Sequence, residues 1–188
     1  MHFAPDTELA LAFIVALTDT HPSATRSGQD ELVSNGQLTD LLNEHGYSGR
    51  MMRDANELAE VRDTRELLRR VWVLDTDQLV DEINRMLAEA EARPYLISHD
   101  QFPYHLHATS QDAPLAERIR VESALALVDV IRSGETDRMR VCEADDCEGL
   151  VIDLSRNGSK RYCSVRCGNR MHQLAHRERA AADSPAVK

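Results

Sequence analysis

The sequence has few aromatic residues: phenylalanine, tryptophan and tyrosine make up 4% of its 188 residues. Hydrophobic residues nevertheless make up 42%, and alanine, leucine, glutamate and arginine are common. This balance suits packed helices better than a β-sandwich or a β-barrel. A chain of this length can bury one core and carry one small additional unit. We therefore expect a mostly α (α+β) protein with one main domain and one satellite.

Long apolar runs are also missing, and no stretch approaches the roughly 20 residues that span a bilayer. The first residues, Met1 to Asp6, lack the basic region and apolar core of a signal peptide. We expect a cytoplasmic protein with no membrane partner.

The motifs of common enzyme classes are absent as well. The sequence has no glycine-rich phosphate loop, no hydrolase-type serine motif and no pair of metal-binding carboxylates. We therefore expect no enzymatic activity. His99, His105 and His107 are candidates for a ligand or metal site, although exposed or hydrogen-bonded histidines are the simpler interpretation. Trp72 is expected in the core rather than in the wall of an effector pocket.

Hydrophobic periodicity predicts five helices ahead of residue 134, at about 7–20, 38–44, 54–74, 75–93 and 112–134. The expected N-caps are Asp6 or Thr7 for the first helix, Asp54 for the third, and Asp75 or Thr76 for the fourth. Two short β-favouring runs, 95–97 and 104–107, flank the breaker 101–103 and predict a hairpin. Residues 134–137 are expected to be a linker.

Cysteine is absent from the first 141 residues, and all four cysteines fall in the segment that follows: Cys142, Cys147, Cys163 and Cys167. Thiols persist in a reducing compartment, so this clustering favours a metal over disulfides. Two short pairs separated by fifteen residues suit one tetrahedral, structural Zn²⁺ ion. Alternatives are a thiol redox switch, or His172 or His176 replacing one thiolate.

The residues between the two cysteine pairs predict a hairpin. Residues 149–153 resemble a strand, Asn157-Gly158 is a turn signal, and 160–162 is the expected returning strand. A helix is expected from about Ser164 to Arg179. This order predicts a small finger of the treble-clef or zinc-ribbon type that ends in a basic helix.

Charge is distributed unevenly along the chain. Residues 1–137 hold 12 Arg and Lys against 25 Asp and Glu, a net charge of −13, whereas residues 155–182 hold 7 against 1, or +6. Such a basic cluster can neutralise the phosphates of DNA, or it can pair with the acidic domain of the same chain. The candidate phosphate contacts are Arg156, Lys160, Arg161, Arg166, Arg170, Arg177 and Arg179.

Two residues at the start of the predicted helix have alternative roles. Asn169 could hydrogen-bond the edge of an adenine base, but a bond to the backbone around the metal is the favoured interpretation. Gly168 is expected to allow close packing of the backbone near the metal.

Three motifs resemble the CGNR zinc finger family: Asp153-Leu154-Ser155-Arg156-Asn157-Gly158, Arg161-Tyr162-Cys163-Ser164, and the signature Cys167-Gly168-Asn169-Arg170. In that family the finger follows a helical stress-induced transcription regulator domain, to which residues 17–20 and the predicted helix at 112–131 bear a looser likeness. The resemblance implies a bacterial, zinc-dependent transcription regulator whose finger contacts DNA. The implied organisation is a helical domain at 1–134 and a finger at 138–180. The small-residue tail at 181–188 is expected to be disordered.

Three functions are compatible with this pattern. The first is a DNA-binding regulator whose helical domain senses a small-molecule effector or forms a homodimer. The second is a protein-interaction module that does not bind DNA. The third is a redox or zinc sensor that uses the thiolates as a switch.

Overall fold

A computed structural model describes residues 3–98 and 104–182. Among these residues the chain forms six α-helices, a short 3₁₀ helix and four strands. In chain order they are α1 (Pro5–Thr18), α2 (Asn35–Glu44), α3 (Ala55–Val71), α4 (Thr76–Glu89), β1 (Tyr95–Ile97), β2 (His105–His107), α5 (Leu115–Arg132), the 3₁₀ helix (Thr136–Arg138), β3 (Met139–Val141), β4 (Leu150–Ile152) and α6 (Val165–Ala182). No described helix is both long enough and apolar enough to cross a membrane.

The main core forms around α5, which packs against α1, α3 and α4. Each of these helices contributes a row of apolar side chains that are shielded from water, including Leu11, Leu68, Ile83, Ile119 and Leu127. Their spacing of three and four residues is the helical periodicity that the sequence predicts. The mostly α fold class is therefore confirmed.

The starts of the helices agree only in part with the predicted caps. The side chains of Asp54 and Asp75 accept backbone N–H groups at the starts of α3 and α4, as expected. In contrast, α1 begins at Pro5 after Ala4, and the predicted cap at Asp6 or Thr7 is wrong. Proline suits the first helical turn because its missing N–H needs no partner there. The Thr7 hydroxyl instead donates to the Asp129 carboxylate, with an O–O distance of 2.6 Å.

The predicted hairpin in the helical domain is confirmed. Strands β1 and β2 pair antiparallel with Leu96 opposite Leu106. The predicted breaker at 101–103 and the candidate residue His99 lie outside the described residues, as do residues 183–188 of the predicted tail.

The second hairpin differs from the prediction. Strand β4 pairs antiparallel with β3, which precedes Cys142, and not with residues 160–162. The buried carboxylate of Asp153 explains the difference, because it accepts the backbone N–H groups of Ser155 and Lys160. These two bonds close the intervening residues into a loop, so the chain cannot return alongside β4 as a strand.

Strand β4 is buried on both of its faces. Leu150 and Ile152 belong to the core of the helical domain, whereas Val151 packs with the cysteine cluster. This alternation follows from the period of two in a strand, which points successive side chains to opposite sides. One three-residue strand therefore contributes to both hydrophobic clusters of the molecule.

Polar contacts reinforce the packing of this hairpin on the helices. The Asp19 carboxylate at the end of α1 accepts the Leu150 N–H, with an N–O distance of 2.9 Å. The indole N–H of Trp72, at the end of α3, donates to the Arg140 carbonyl at 3.0 Å. Trp72 is buried, as expected for a core residue. The predicted linker at 134–137 is thus a tight turn that leads directly into a packed hairpin.

A buried ion pair anchors the loop between α1 and α2. The Arg65 guanidinium of α3 donates to both oxygens of Asp30, with N–O distances of 2.7 and 2.8 Å. Only 3% of the Arg65 side chain is exposed, and its Nε atom also contacts the Glu66 carboxylate at 3.1 Å, so its charge depends on these two partners. The hydrogen bonds from Arg65 hold the pKa of Asp30 well below its ordinary value of 3.8.

This pair predicts acid-sensitive stability. Because the folded-state pKa of Asp30 is depressed, its contribution is complete above about pH 4 and is lost as the pH falls below 3.8. At neutral pH, Asp30→Asn should lower the free energy of unfolding by about 2 kcal/mol, since it removes the charge-assisted bonds to Arg65 and leaves the half-exposed Glu66 as its counterion. The difference between wild type and variant should shrink in acid. Urea unfolding at several pH values measures it.

The matched control is Asp81→Asn, which makes the same change in charge at an exposed position on α4. It should behave like the wild type at every pH. A difference between wild type and Asp30→Asn that stays constant between pH 6 and pH 2 would contradict the account.

Candidate metal centre

The four cysteine sulfurs converge on one point. The Sγ atoms of Cys142, Cys147, Cys163 and Cys167 all lie within 4.8 Å of one another. The Cys147–Cys163 and Cys163–Cys167 sulfur distances are each 3.7 Å. A tetrahedral zinc ion with Zn–S bonds of about 2.3 Å requires sulfurs about 3.8 Å apart. The donor set and its spacing thus fit one Zn²⁺ ion.

Two structural elements bring the cysteine pairs together. Cys142 directly follows β3, and Cys147 lies in the loop that leads to β4. Cys163 precedes α6 and Cys167 lies in its first turn, where the Ser164 hydroxyl accepts the Cys167 N–H at 3.2 Å. The loop that carries Cys142 and Cys147 and the first turn of α6 would therefore bind the metal from opposite sides, as in a treble-clef finger.

Backbone N–H groups point at two of the sulfurs. The Gly149 N–H donates to the Cys147 sulfur at 3.4 Å, and the Cys163 N–H lies 3.5 Å from the Cys142 sulfur. These bonds stabilise negative thiolates, which are the form that binds zinc. Burial raises the pKa of the Cys147 thiol to about 11, so zinc must displace a thiol proton when it binds.

The histidines suggested as alternative ligands are not part of this cluster. His172 and His176 are both exposed on α6, beyond the turn that carries Cys167. Among the described residues, the four cysteines are the one group of three or more potential ligands with metal-binding geometry. The metal site predicted from the four thiols is confirmed.

Two glycines allow close approach around the metal. A Cβ atom on Gly149 would lie 3.0 Å from the Cys163 sulfur and 3.2 Å from the Asp19 carboxylate. A Cβ atom on Gly168 would lie 3.3 Å from the Tyr162 ring, which accords with the packing role expected for this residue. The sequence analysis did not identify Gly149, because the neighbouring residues do not indicate that the Cys163 sulfur and the Asp19 carboxylate both lie beside it.

The basic residues of the predicted DNA-binding set fall into two groups. Arg161 forms an ion pair with Glu143, and Arg170 forms one with Asp146. Arg170 also reaches the Cys167 sulfur at 3.9 Å, so its side chain braces the metal site. These two arginines are engaged within the finger itself.

The other members of the set are more accessible. Arg156, Arg166 and Arg177 are exposed and form no ion pair with any described residue. The Lys160 amine lies 3.4 Å from the Ile152 carbonyl. Arg179 donates to the Ala175 carbonyl of its own helix. Within the described residues, none of the predicted basic set forms an ion pair with the acidic helical domain.

Helix α6 presents a polar row that the sequence analysis did not identify. Asn169, Gln173 and His176 are all exposed, and their spacing of i, i+4 and i+7 places them on one face. Asn169 makes no hydrogen bond to the backbone around the metal among the described contacts, although that was its favoured role. The helical spacing of Asn169, Gln173 and His176 could be read from the sequence. Which face of α6 is exposed to solvent could not.

The close contacts around Gly149 predict that a side chain at this position would lower the affinity for zinc. In Gly149→Ala the new methyl group must displace the Cys163 sulfur or the Asp19 carboxylate, so zinc affinity should fall by about tenfold. Competition with a chromogenic chelator measures that affinity. The control is Gly36→Ala, whose methyl group would meet nothing closer than the Ser34 hydroxyl at 3.7 Å. Equal zinc affinity in the two variants would show that Gly149 has no such role.

Comparison with known protein families gives two matches. Residues 138–180 match the family described as CGNR zinc finger. Residues 8–134, more than half of the chain, match the family described as ABATE, "Putative stress-induced transcription regulator". No curated protein matches the chain. Both matches confirm the resemblance drawn from the sequence motifs, and the chain belongs to the ABATE family, with a zinc-binding CGNR finger at residues 138–180.

Proposed function

We propose that this protein is a transcription regulator that binds DNA by placing α6 in the major groove. The observation that carries the proposal is the exposure of α6 beyond the metal site. Every residue from His172 to Ala180 is exposed. Most of these residues are polar, with Leu174 as the one large apolar side chain among them. A mostly polar helix that is held only at one end has no role in the core, so its surface is available to a partner.

The dimensions of α6 suit this role. Its 18 residues correspond to a rod of about 27 Å, and the major groove of B-DNA admits one α-helix. The outward row of Asn169, Gln173 and His176 offers hydrogen-bonding side chains along that rod. Asparagine and glutamine can each form two hydrogen bonds with the edge of adenine, so this row supports sequence recognition.

Phosphate contacts would come from the arginines that flank this row. Arg166 and Arg177 lie on one side of Asn169 when α6 is viewed along its axis, and both are exposed. Arg161 and Arg170 would contribute less, because Glu143 and Asp146 partly neutralise them. The helical domain carries a net charge of −13 over residues 1–137, which would orient the finger toward DNA and the rest of the molecule away from it.

The zinc ion would have a structural role in this function. Four protein thiolates complete a tetrahedral coordination sphere and leave no position for water or a substrate. We therefore propose no enzymatic activity for this site. The metal fixes the first turn of α6 against the β3–β4 hairpin, and thereby sets the direction in which the helix leaves the molecule. We assign sensing or dimerisation to the helical domain.

The test is salt-dependent binding of the full-length, zinc-loaded protein to random-sequence duplex DNA. Full-length protein is needed because β4 is part of the helical core. In the double variant Arg166→Ala/Arg177→Ala, two phosphate contacts are lost, so the slope of log K against log salt concentration should decrease by about 2. The matched control, Arg26→Ala/Arg93→Ala, removes two exposed arginines from the helical domain and should leave the slope unchanged.

The same slope in the wild type and in the Arg166/Arg177 variant would contradict contact through this face of α6. A separate outcome is that the wild type shows no DNA binding at 50 mM salt. In that case the protein-interaction alternative would replace the proposal.

A further inference from the structure

The helical domain contains a second potential site, remote from the zinc centre. A cavity of about 370 Å³ lies between the first half of α1, the loop after α2, the hairpin β1–β2 and one face of α5. This volume falls within the range of small-molecule binding sites in proteins. The one cluster with metal-binding geometry among the described residues, the four cysteines, lies outside this cavity.

Aromatic rings form one wall of the cavity. The Phe13 ring of α1 lies 4.3 Å from the Tyr47 ring and 5.4 Å from the His45 ring, measured between centroids. Leu106 of the hairpin and Leu125 of α5 add apolar surface. A flat or compact apolar group would be shielded from water against this wall.

Glu122 of α5 supplies the central polar group. Its carboxylate accepts a hydrogen bond from the Tyr47 hydroxyl, at the aromatic wall. The Nδ1 atom of His107 lies 4.0 Å away from it. The other ring nitrogen of His107, Nε2, lies 2.9 Å from Nε2 of His105, so the two imidazoles share a hydrogen bond at the hairpin side of the cavity.

Charged side chains of both signs line the rest of the cavity. Asp6 and Asp129 line the cavity together with Glu122. Of the two arginines, Arg118 directs its guanidinium at the backbone carbonyls of Ser48, Arg50 and Ala113. The other, Arg132, is exposed. Three carboxylates and two guanidinium groups therefore line the cavity, and the hydrogen bonds of Arg118 to backbone carbonyls fix its guanidinium in place.

We propose that this cavity binds a small organic cation, an amine carried on a compact apolar or aromatic body. The ammonium group pairs with Glu122, and the apolar body packs against Phe13 and Tyr47. Aromatic faces attract cations as well as apolar groups, so the wall and the carboxylate favour the same class of ligand. The site does not involve the finger, and its occupation does not depend on whether α6 binds DNA.

The test uses three probes of nearly equal size and different charge: phenethylamine, 2-phenylethanol and phenylacetate. Each is titrated into the full-length, zinc-loaded protein, and binding is followed by NMR chemical shifts. Phenethylamine should bind most tightly and phenylacetate most weakly. In Glu122→Gln, which keeps an acceptor for the Tyr47 hydroxyl, the ratio of amine to alcohol affinity should fall by about tenfold or more.

Because this ratio is measured within one variant, a general loss of folded protein cannot mimic the effect. Glu122→Asp should keep the preference for the amine, since it keeps the charge. Glu117→Gln makes the same chemical change on α5 outside the cavity and should leave the ratio unchanged. No saturable binding of phenethylamine, equal affinity for the three probes, or an unchanged ratio in Glu122→Gln would overturn the proposal.

Discussion

Strand β4 packs against both the helical core and the cysteine cluster, and it is part of both. Its outer residues, Leu150 and Ile152, complete the core of the helical domain, and its central residue, Val151, packs against the zinc-binding cysteines. The Asp19 carboxylate at the end of α1 fixes the strand by accepting the Leu150 N–H. Because the loop that carries Cys142 and Cys147 connects β3 to β4, the metal holds in place a strand that the helical core requires.

This arrangement differs from the usual view of a small zinc finger as an independent unit joined by a linker. Small metal-binding folds gain most of their folding free energy from the metal. Here part of that free energy is available to the helices, since separating β4 from them would expose Leu150 and Ile152. The same shared strand fixes the finger on the domain, so the direction of α6 is set by the whole molecule.

Local sequence patterns predicted much of this structure, but they did not predict contacts between residues that are distant in the sequence. The helices around Leu68, Ile83 and Ile119 follow from apolar spacing, and the zinc site follows from four thiols in two short pairs. The partner of β4 was predicted wrongly as residues 160–162 from the turn signal at Asn157-Gly158. The buried Asp153 carboxylate closes these residues into a loop, and this contact could not be seen in the sequence. Three consecutive apolar residues in β4 were a sign of a strand buried on both faces, but not of what would cover each face. Arg166 and Arg170 could not be told apart by sequence, since their different roles depend on where Asp146 lies.

The most direct test of a shared zinc-and-core unit is amide hydrogen exchange, measured on the zinc-loaded protein and again after chelation of zinc. If β4 couples the two parts, removal of zinc should reduce the protection of α1 amides between Leu11 and Thr18 together with that of β4 and the first turn of α6. Loss of protection confined to residues 139–182, with α1 unchanged, would contradict the account and show that the finger folds as a separate unit.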